Sequence, residues 1–112
     1  MPSGTAHGID GHEAICLMNL GETAASIELS VLFEDRDAVR IGGLECGPQR
    51  TRHFRLDRPE ELAGAEVPFD TPYALLVTSD VPLVVQHTRV DVRGGGLSLM
   101  TTMAAPLDED QR

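Results

Sequence analysis

The sequence predicts an all-β protein, a single antiparallel β-sandwich of about seven strands. Segments in which apolar and polar residues alternate recur at near-regular spacing, and the clearest of them runs from Ile27 to Glu34. Helical periodicity is almost absent, since only residues 60–63, after Pro59, are suited to one helical turn. The 112 residues suffice for one domain with a single modest core.

The predicted strands follow one another with turn-forming residues between them. In chain order they cover residues 13–19, 27–34, 38–41, 44–46, 50–56, 73–79, 82–91 and 97–104. Gly42 and Gly43 divide the third region into two short pieces. Three segments are predicted: a flexible lead-in over residues 1–11, the sandwich over residues 12–105, and a polar tail over residues 106–112.

Charge and hydropathy exclude some classes of function. The net charge of −9 argues against nonspecific attraction to nucleic acid or anionic lipid. No apolar run approaches membrane-spanning length, and residues 1–11 lack the features of a secretory signal, so a cytoplasmic location is expected. Four arginines form a local positive stripe at Arg50, Arg52, Arg55 and Arg58. A symmetric oligomer that gathered such stripes would make weak DNA binding an alternative, which the net charge disfavours.

The segment 82–91 begins as a core strand and ends in polar groups. Side chains alternate across a strand, so His87, Arg89 and Asp91 share the face of Leu83 and Val85. Burying ionisable groups without partners is costly. The polar end of this strand must therefore reach a sheet edge, a subunit interface or a pocket.

No metal, cofactor or catalytic signature stands out. The four histidines show neither the i, i+2 nor the i, i+4 spacing of a local metal pair, and convergence of His12, His53 and His87 on a metal is the weaker alternative. There is no nucleophile elbow and no phosphate-binding glycine loop. Cys16 lies in an apolar run and is predicted as a small core residue. We therefore expect no enzyme activity and no cofactor.

Polar side chains at strand ends are the candidate ligand-binding residues. They are His12, Glu13, Thr51, His53, Arg55, Gln86, His87, Arg89 and Asp91. Directional donors and acceptors on rigid strands suit a small hydroxylated or anionic ligand. The alternative is that these groups pair with one another across strands or across a subunit interface, with His87 and Arg89 as partners of Glu13. Both interpretations stay open at the level of sequence.

Three segments together resemble the sensory rhodopsin transducer family: residues 12–19, 50–55 and 79–91. The resemblance extends from His12 to Ala105 and includes the segment 70–74 before the penultimate strand. It implies a small β-sandwich that assembles as a homotetramer, in the cytoplasm and without known catalysis. Open strand edges, which self-association would cover, also favour a homo-oligomer.

The resemblance implies two roles, which remain alternatives. The first is binding or sensing of a sugar or related polar metabolite, and the second is a signalling adaptor for a membrane photoreceptor or other receptor. Carried over residue by residue, the family's polar motif adds Arg50 to the nine candidates. Family members begin with a further strand that contains Trp and an Ala-Glu-Gly segment. This sequence starts in the loop that follows it, so we expect either that the true start lies upstream or that the chain dispenses with this first strand.

Overall fold

The computed structural model describes residues 2–6, 9–68, 70–92 and 98–103. Its nine strands are β1 (Thr5–Ala6), β2 (Ile9–Asp10), β3 (His12–Asn19), β4 (Ala25–Phe33), β5 (Val39–Cys46), β6 (Arg50–Arg55), β7 (Tyr73–Ser79), β8 (Val84–Asp91) and β9 (Ser98–Met103). A single 3-10 turn spans Pro59–Glu61, where the sequence predicts one helical turn. Among the described residues, no helix is long and apolar enough to cross a membrane.

Strands β3 to β9 form the two antiparallel sheets of the sandwich, and β1 and β2 form a separate two-stranded sheet. A four-stranded sheet has the order β6-β3-β8-β9, and a three-stranded sheet has the order β5-β4-β7. The all-β sandwich predicted from the alternation pattern is therefore confirmed. The predicted polar tail, residues 106–112, and the two ends of the predicted last strand, Leu97 and Ala104, lie outside the described residues.

Alternate residues of each sheet supply the core. On β3, Ile15 and Leu17 face inward, and on β4 the residues with odd numbers from Ala25 to Val31 do so. Leu56, Leu62 and Val67 join this core from the connection between β6 and β7. The buried hydrophobic cluster consists of Ile15, Leu17, Ala25, Ile27, Leu29, Val31, Ile41, Leu44, Cys46, Phe54, Leu56, Leu62 and Val67.

The prediction that Gly42 and Gly43 separate two short strands is wrong, because β5 is continuous from Val39 to Cys46. Ile27 pairs with Leu44 and Leu29 pairs with Ile41, so both glycines lie opposite Glu28. This is a β-bulge, in which two residues of one strand oppose one residue of its partner. Gly43 has a φ of 74°, a conformation that glycine adopts without the steric penalty of a side chain.

The lead-in contains backbone pairing that the loop-like sequence did not predict. Thr5–Ala6 pairs with Ile9–Asp10, and the amide of Gly11 donates to the carbonyl oxygen of Gly4 at 2.8 Å. The Ser3 hydroxyl donates to Asp70 Oδ2 at 2.5 Å. The Ser3–Asp70 hydrogen bond links the lead-in to the segment before β7.

Candidate functional site

The four-stranded sheet divides the predicted ligand-binding residues between its two faces. β3 lies between β6 and β8, so the register of both ladders assigns each side chain to a face. Four residues face the core and are called the inner polar cluster: Glu13, His87, Arg89 and Asp91. Five lie on the opposite side and are called the outer-face residues: His12, Thr51, His53, Arg55 and Gln86. The tenth candidate, Arg50, lies opposite Asn19 at the far end of β6, so the ten candidates do not form one site.

The inner polar cluster is centred on the buried carboxylate of Glu13, whose side chain is only 5% exposed. His87 Nε2 lies 3.1 Å from Glu13 Oε1, and Arg89 NH1 lies 3.7 Å from the same oxygen. Arg89 also donates from NH2 to Asp91 Oδ2 at 3.2 Å. A carboxylate removed from water needs such partners, since an unpaired buried charge is strongly unfavourable. The pairing of Glu13 with His87 and Arg89 is thus the cross-strand arrangement that the sequence left as an alternative.

Cys16 and His53 are in contact on the outer face. Cys16 Sγ lies 3.0 Å from His53 Nε2, and the two residues are direct partners in the β3–β6 ladder. The prediction that Cys16 belongs to the core is wrong, because Ile15 and Leu17 face inward and the residue between them must face outward. Gln86 lies opposite Cys16 on the other side, in β8.

Arg55 is held by Asp57 at the end of β6. Its Nε and NH2 donate to the two carboxylate oxygens of Asp57 at 2.8 Å and 2.6 Å, a bidentate pair. Burial raises the pKa of Asp57, but the hydrogen bond and the positive charge of Arg55 outweigh this effect, with a smaller contribution from His12. The net result is a lowered pKa, which keeps Asp57 ionised.

The side chains of Thr51 and Arg50 donate hydrogen bonds to backbone carbonyl groups. Thr51 Oγ1 donates to the carbonyl oxygen of Leu17 at 3.0 Å, across the β3–β6 ladder. Arg50 lies at the far end of β6, opposite Asn19, and its NH1 donates to the carbonyl oxygen of Gln49 at 3.1 Å. Arg50 is therefore distant in register from the inner polar cluster.

The arginine stripe does not act as one positive surface. Arg52 lies over the ring of Phe54, 4.7 Å from its centroid, and donates to the carbonyl oxygen of Glu45. Arg58 is paired with Glu61 at 3.4 Å, as Arg55 is with Asp57. Two of the four charges are thus offset by carboxylates. This pairing lowers the positive charge that the stripe offers to a phosphate backbone.

The histidines considered for a metal site lie on different faces. His12 and His53 belong to the outer side of the four-stranded sheet, and His87 faces inward beside Glu13. Within the described part of the chain, no group of three or more His, Cys, Asp or Glu side chains is placed to hold a metal ion. The described residues therefore do not bring these histidines together.

Sequence reasoning missed three features of the structure. They are the contact of Cys16 with His53, the role of Asp57 as partner of Arg55, and the buried hydroxyl of Tyr73. Strict alternation around Ile15 and Leu17 could have placed Cys16 on the outer side. Its pairing with His53 could not have been found in this way, because it depends on the register between β3 and β6.

The fold and its central paired strand define a small antiparallel β-sandwich protein. The family model described as Anabaena sensory rhodopsin transducer matches residues 1–106, and the chain belongs to this family. A solved structure titled "Crystal Structure of Thermotoga maritima 1070" is 35% identical, with a TM-score of 0.81, and the match covers 92% of this chain and 83% of that chain. A solved structure of the Anabaena sensory rhodopsin transducer is 34% identical, with a TM-score of 0.66, and covers 83% of this chain and 79% of its own. No curated protein sequence matches the chain.

Proposed function

We propose that this domain is a cytoplasmic signal transducer that acts without catalysis, by binding a receptor protein through the outer face of its four-stranded sheet. The proposal rests on the division of the polar residues between the two faces of the four-stranded sheet. In the inner polar cluster, Glu13 pairs with His87 and Arg89, and Arg89 pairs with Asp91. The outer-face residues lie on a rigid sheet whose central positions, such as Ala14 and Gln86, are only half-buried.

Membership of the transducer family supports a receptor as the partner. The relative's title names a sensory rhodopsin as the protein that it serves. A β-sheet face with fixed side chains suits such an interaction, because little conformational entropy is lost when the partner binds. The proposed binding surface is centred on Ala14, which has Arg55 and Thr88 as its cross-strand neighbours.

Binding of detergent-solubilised Anabaena sensory rhodopsin, measured by calorimetry, tests this proposal. Ala14→Gln adds volume at the centre of the outer face and should weaken binding about tenfold or more, or about 1.4 kcal/mol. Ser26→Gln is the matched control, because Ser26 is exposed on β4, in the other sheet. Binding by the wild type that Ala14→Gln weakens and Ser26→Gln does not supports the proposal. No binding, or equal weakening by both variants, contradicts it.

A polar metabolite such as a sugar is the second candidate partner, and the hydroxyl of Tyr73 favours it. This hydroxyl is buried and has no hydrogen-bond partner among the described residues. Buried polar groups of this kind are normally satisfied by protein, water or ligand. Tyr73 pairs with Phe33 at the end of β4, and its side chain packs against the hydrophobic core cluster.

Thermal-shift measurements with glucose, glucose 6-phosphate and gluconate test the second candidate. Tyr73→Phe removes only the hydroxyl, so the variant should keep or slightly exceed wild-type stability. A shift in the wild type that Tyr73→Phe abolishes supports a ligand at this position. No shift with any of the three compounds contradicts it.

We also propose that the domain self-associates as a homotetramer. Within the described residues, β6 and β9 are the outer strands of one sheet, and β5 and β7 are those of the other. Open strand edges favour pairing with a second chain. Met100 on β9 is 54% exposed, as expected for an edge that a partner covers. Light scattering after size exclusion should give the mass of a tetramer, and a monomer at all concentrations would contradict this assembly.

A further inference from the structure

Cys16 and His53 form the closest thiol–imidazole pair in the described part of the chain, with Sγ and Nε2 3.0 Å apart. Cys16 lies in the middle of β3, which is hydrogen-bonded to β6 on one side and β8 on the other. The pair therefore rests on two regular ladders and not on a loop. Its geometry is set by the register of the sheet.

The pair has the composition of an activated thiol. A thiolate is the reactive form of cysteine, and an imidazole within hydrogen-bond distance can accept its proton and stabilise the resulting anion. The neighbouring outer-face positions on β6 are Thr51 and Arg55, and the Arg55 guanidinium is held by Asp57. On β8, the facing residues are the neutral Gln86 and Thr88.

The second cysteine provides a contrast within the same chain. Cys46 is 1% exposed in the core, and its Sγ donates to the carbonyl oxygen of Arg50 at 3.4 Å. Cys16 is half-buried on the outside of the other sheet. Cys16 lies on the outer face of the four-stranded sheet, and Cys46 lies in the core between the two sheets. A disulfide between them would therefore require the sandwich to open. A reaction of the folded chain is therefore expected at Cys16 alone.

We propose that Cys16 is a covalent modification site for low-molecular-weight disulfides of the glutathione disulfide class. His53 accepts the thiol proton, and the Cys16 thiolate attacks one sulfur of the disulfide. A Cys16–sulfur bond forms as the disulfide bond of the reagent breaks. The released thiolate takes the proton from His53 and leaves as a thiol. Cys16 is oxidised while the reagent is reduced, and no other reactant is needed. This modification does not depend on the proposed receptor.

Incubation of the purified chain with glutathione disulfide at pH 7, followed by peptide mass mapping, tests the proposal. The expected product is a single adduct on Cys16, with Cys46 unmodified. An isolated cysteine is only a few per cent thiolate at pH 7, so His53→Gln should slow the reaction about tenfold. Ser26→Gln, a replacement at an exposed position of β4 in the other sheet, should leave the rate unchanged. Cys16→Ser should give no adduct.

Equal modification of both cysteines in the folded wild type would overturn the proposal, as would a His53→Gln rate equal to that of the wild type. If His53→Gln fails to fold, the rate at Cys16 of the folded wild type at pH 7 is compared with that of the urea-unfolded wild type. A higher rate in the folded chain supports the pair, and an equal or lower rate refutes it.

Discussion

His87 Nε2 lies 3.1 Å from Glu13 Oε1, although the two residues are not opposite each other in the β3–β8 ladder. Arg89 is the direct partner of Glu13, and His87 is the diagonal one, two residues earlier on the same face. Side chains at such diagonal positions are within reach of each other when they are long. The polar end of β8 thus provides two partners for one buried carboxylate. These contacts help to hold β8 against β3.

Replacement of His87 should destabilise the protein by leaving the Glu13 carboxylate short of a donor. His87→Phe keeps a ring of similar shape and removes the hydrogen bond, so the free energy of unfolding should fall by about 2 kcal/mol. Urea denaturation measures this change. The double variant Glu13→Gln/His87→Phe should be more stable than the sum of the two single effects predicts. Strictly additive effects would contradict the coupling between the two side chains.

Asn19 connects the two sheets, and its loss should be costly. Its Nδ2 donates to the carbonyl oxygens of Thr23 and Cys46, and its Oδ1 accepts from the amide of Gly21. The residue is fully buried, so Asn19→Ala should lower the free energy of unfolding by about 2–4 kcal/mol. Gln49→Ala is the control, because that side chain is exposed and bonds the carbonyl of Leu20 in the same region. A Gln49→Ala effect as large as that of Asn19→Ala would show that burial is not the cause.

The bulge in β5 should tolerate a side chain at one glycine and not at the other. Gly43→Ala forces a side chain onto a backbone with a φ of 74°. It should cost about 1–2 kcal/mol in urea denaturation. Gly42→Ala has open space around the new methyl group and should be neutral or slightly stabilising. Equal destabilisation by both variants would indicate that the backbone conformation at Gly43 is not the reason.

The Arg55–Asp57 pair should make stability depend on pH in the acid range. The lowered pKa of Asp57 means that its contribution is complete above the ordinary carboxyl value of 3.8 and is lost as the pH falls below it. Asp57→Asn should therefore lower the urea midpoint near neutral pH. At pH 3, the midpoint of the variant should lie closer to that of the wild type. Asp35→Asn is the control, because the Asp35–Arg36 pair is exposed and screened by solvent. A difference between Asp57→Asn and wild type that persists undiminished at pH 3 would contradict this linkage.

Alternation predicted which face each residue of the long strands occupies. The grouping of His87, Arg89 and Asp91 with Val85 is found in the β3–β8 register. Cys16 is the exception, because its apolar neighbours suggested a core residue although alternation turns it outward. The continuity of β5 was also missed, since a pair of glycines in a strand can mark either an interruption or a bulge.

The sequence by itself determined the β-sandwich class, the approximate positions of most of the long strands and the family, because these depend on local alternation, turn residues and ordered motifs. The tertiary structure decided which side chains meet. Pairing of His87 with Glu13, and of His53 with Cys16, follows from the strand order β6-β3-β8 and from the register of two ladders. A strand pattern of period two specifies a face but not the opposite residue. One set of polar residues in the sequence therefore became two groups on opposite faces of a sheet.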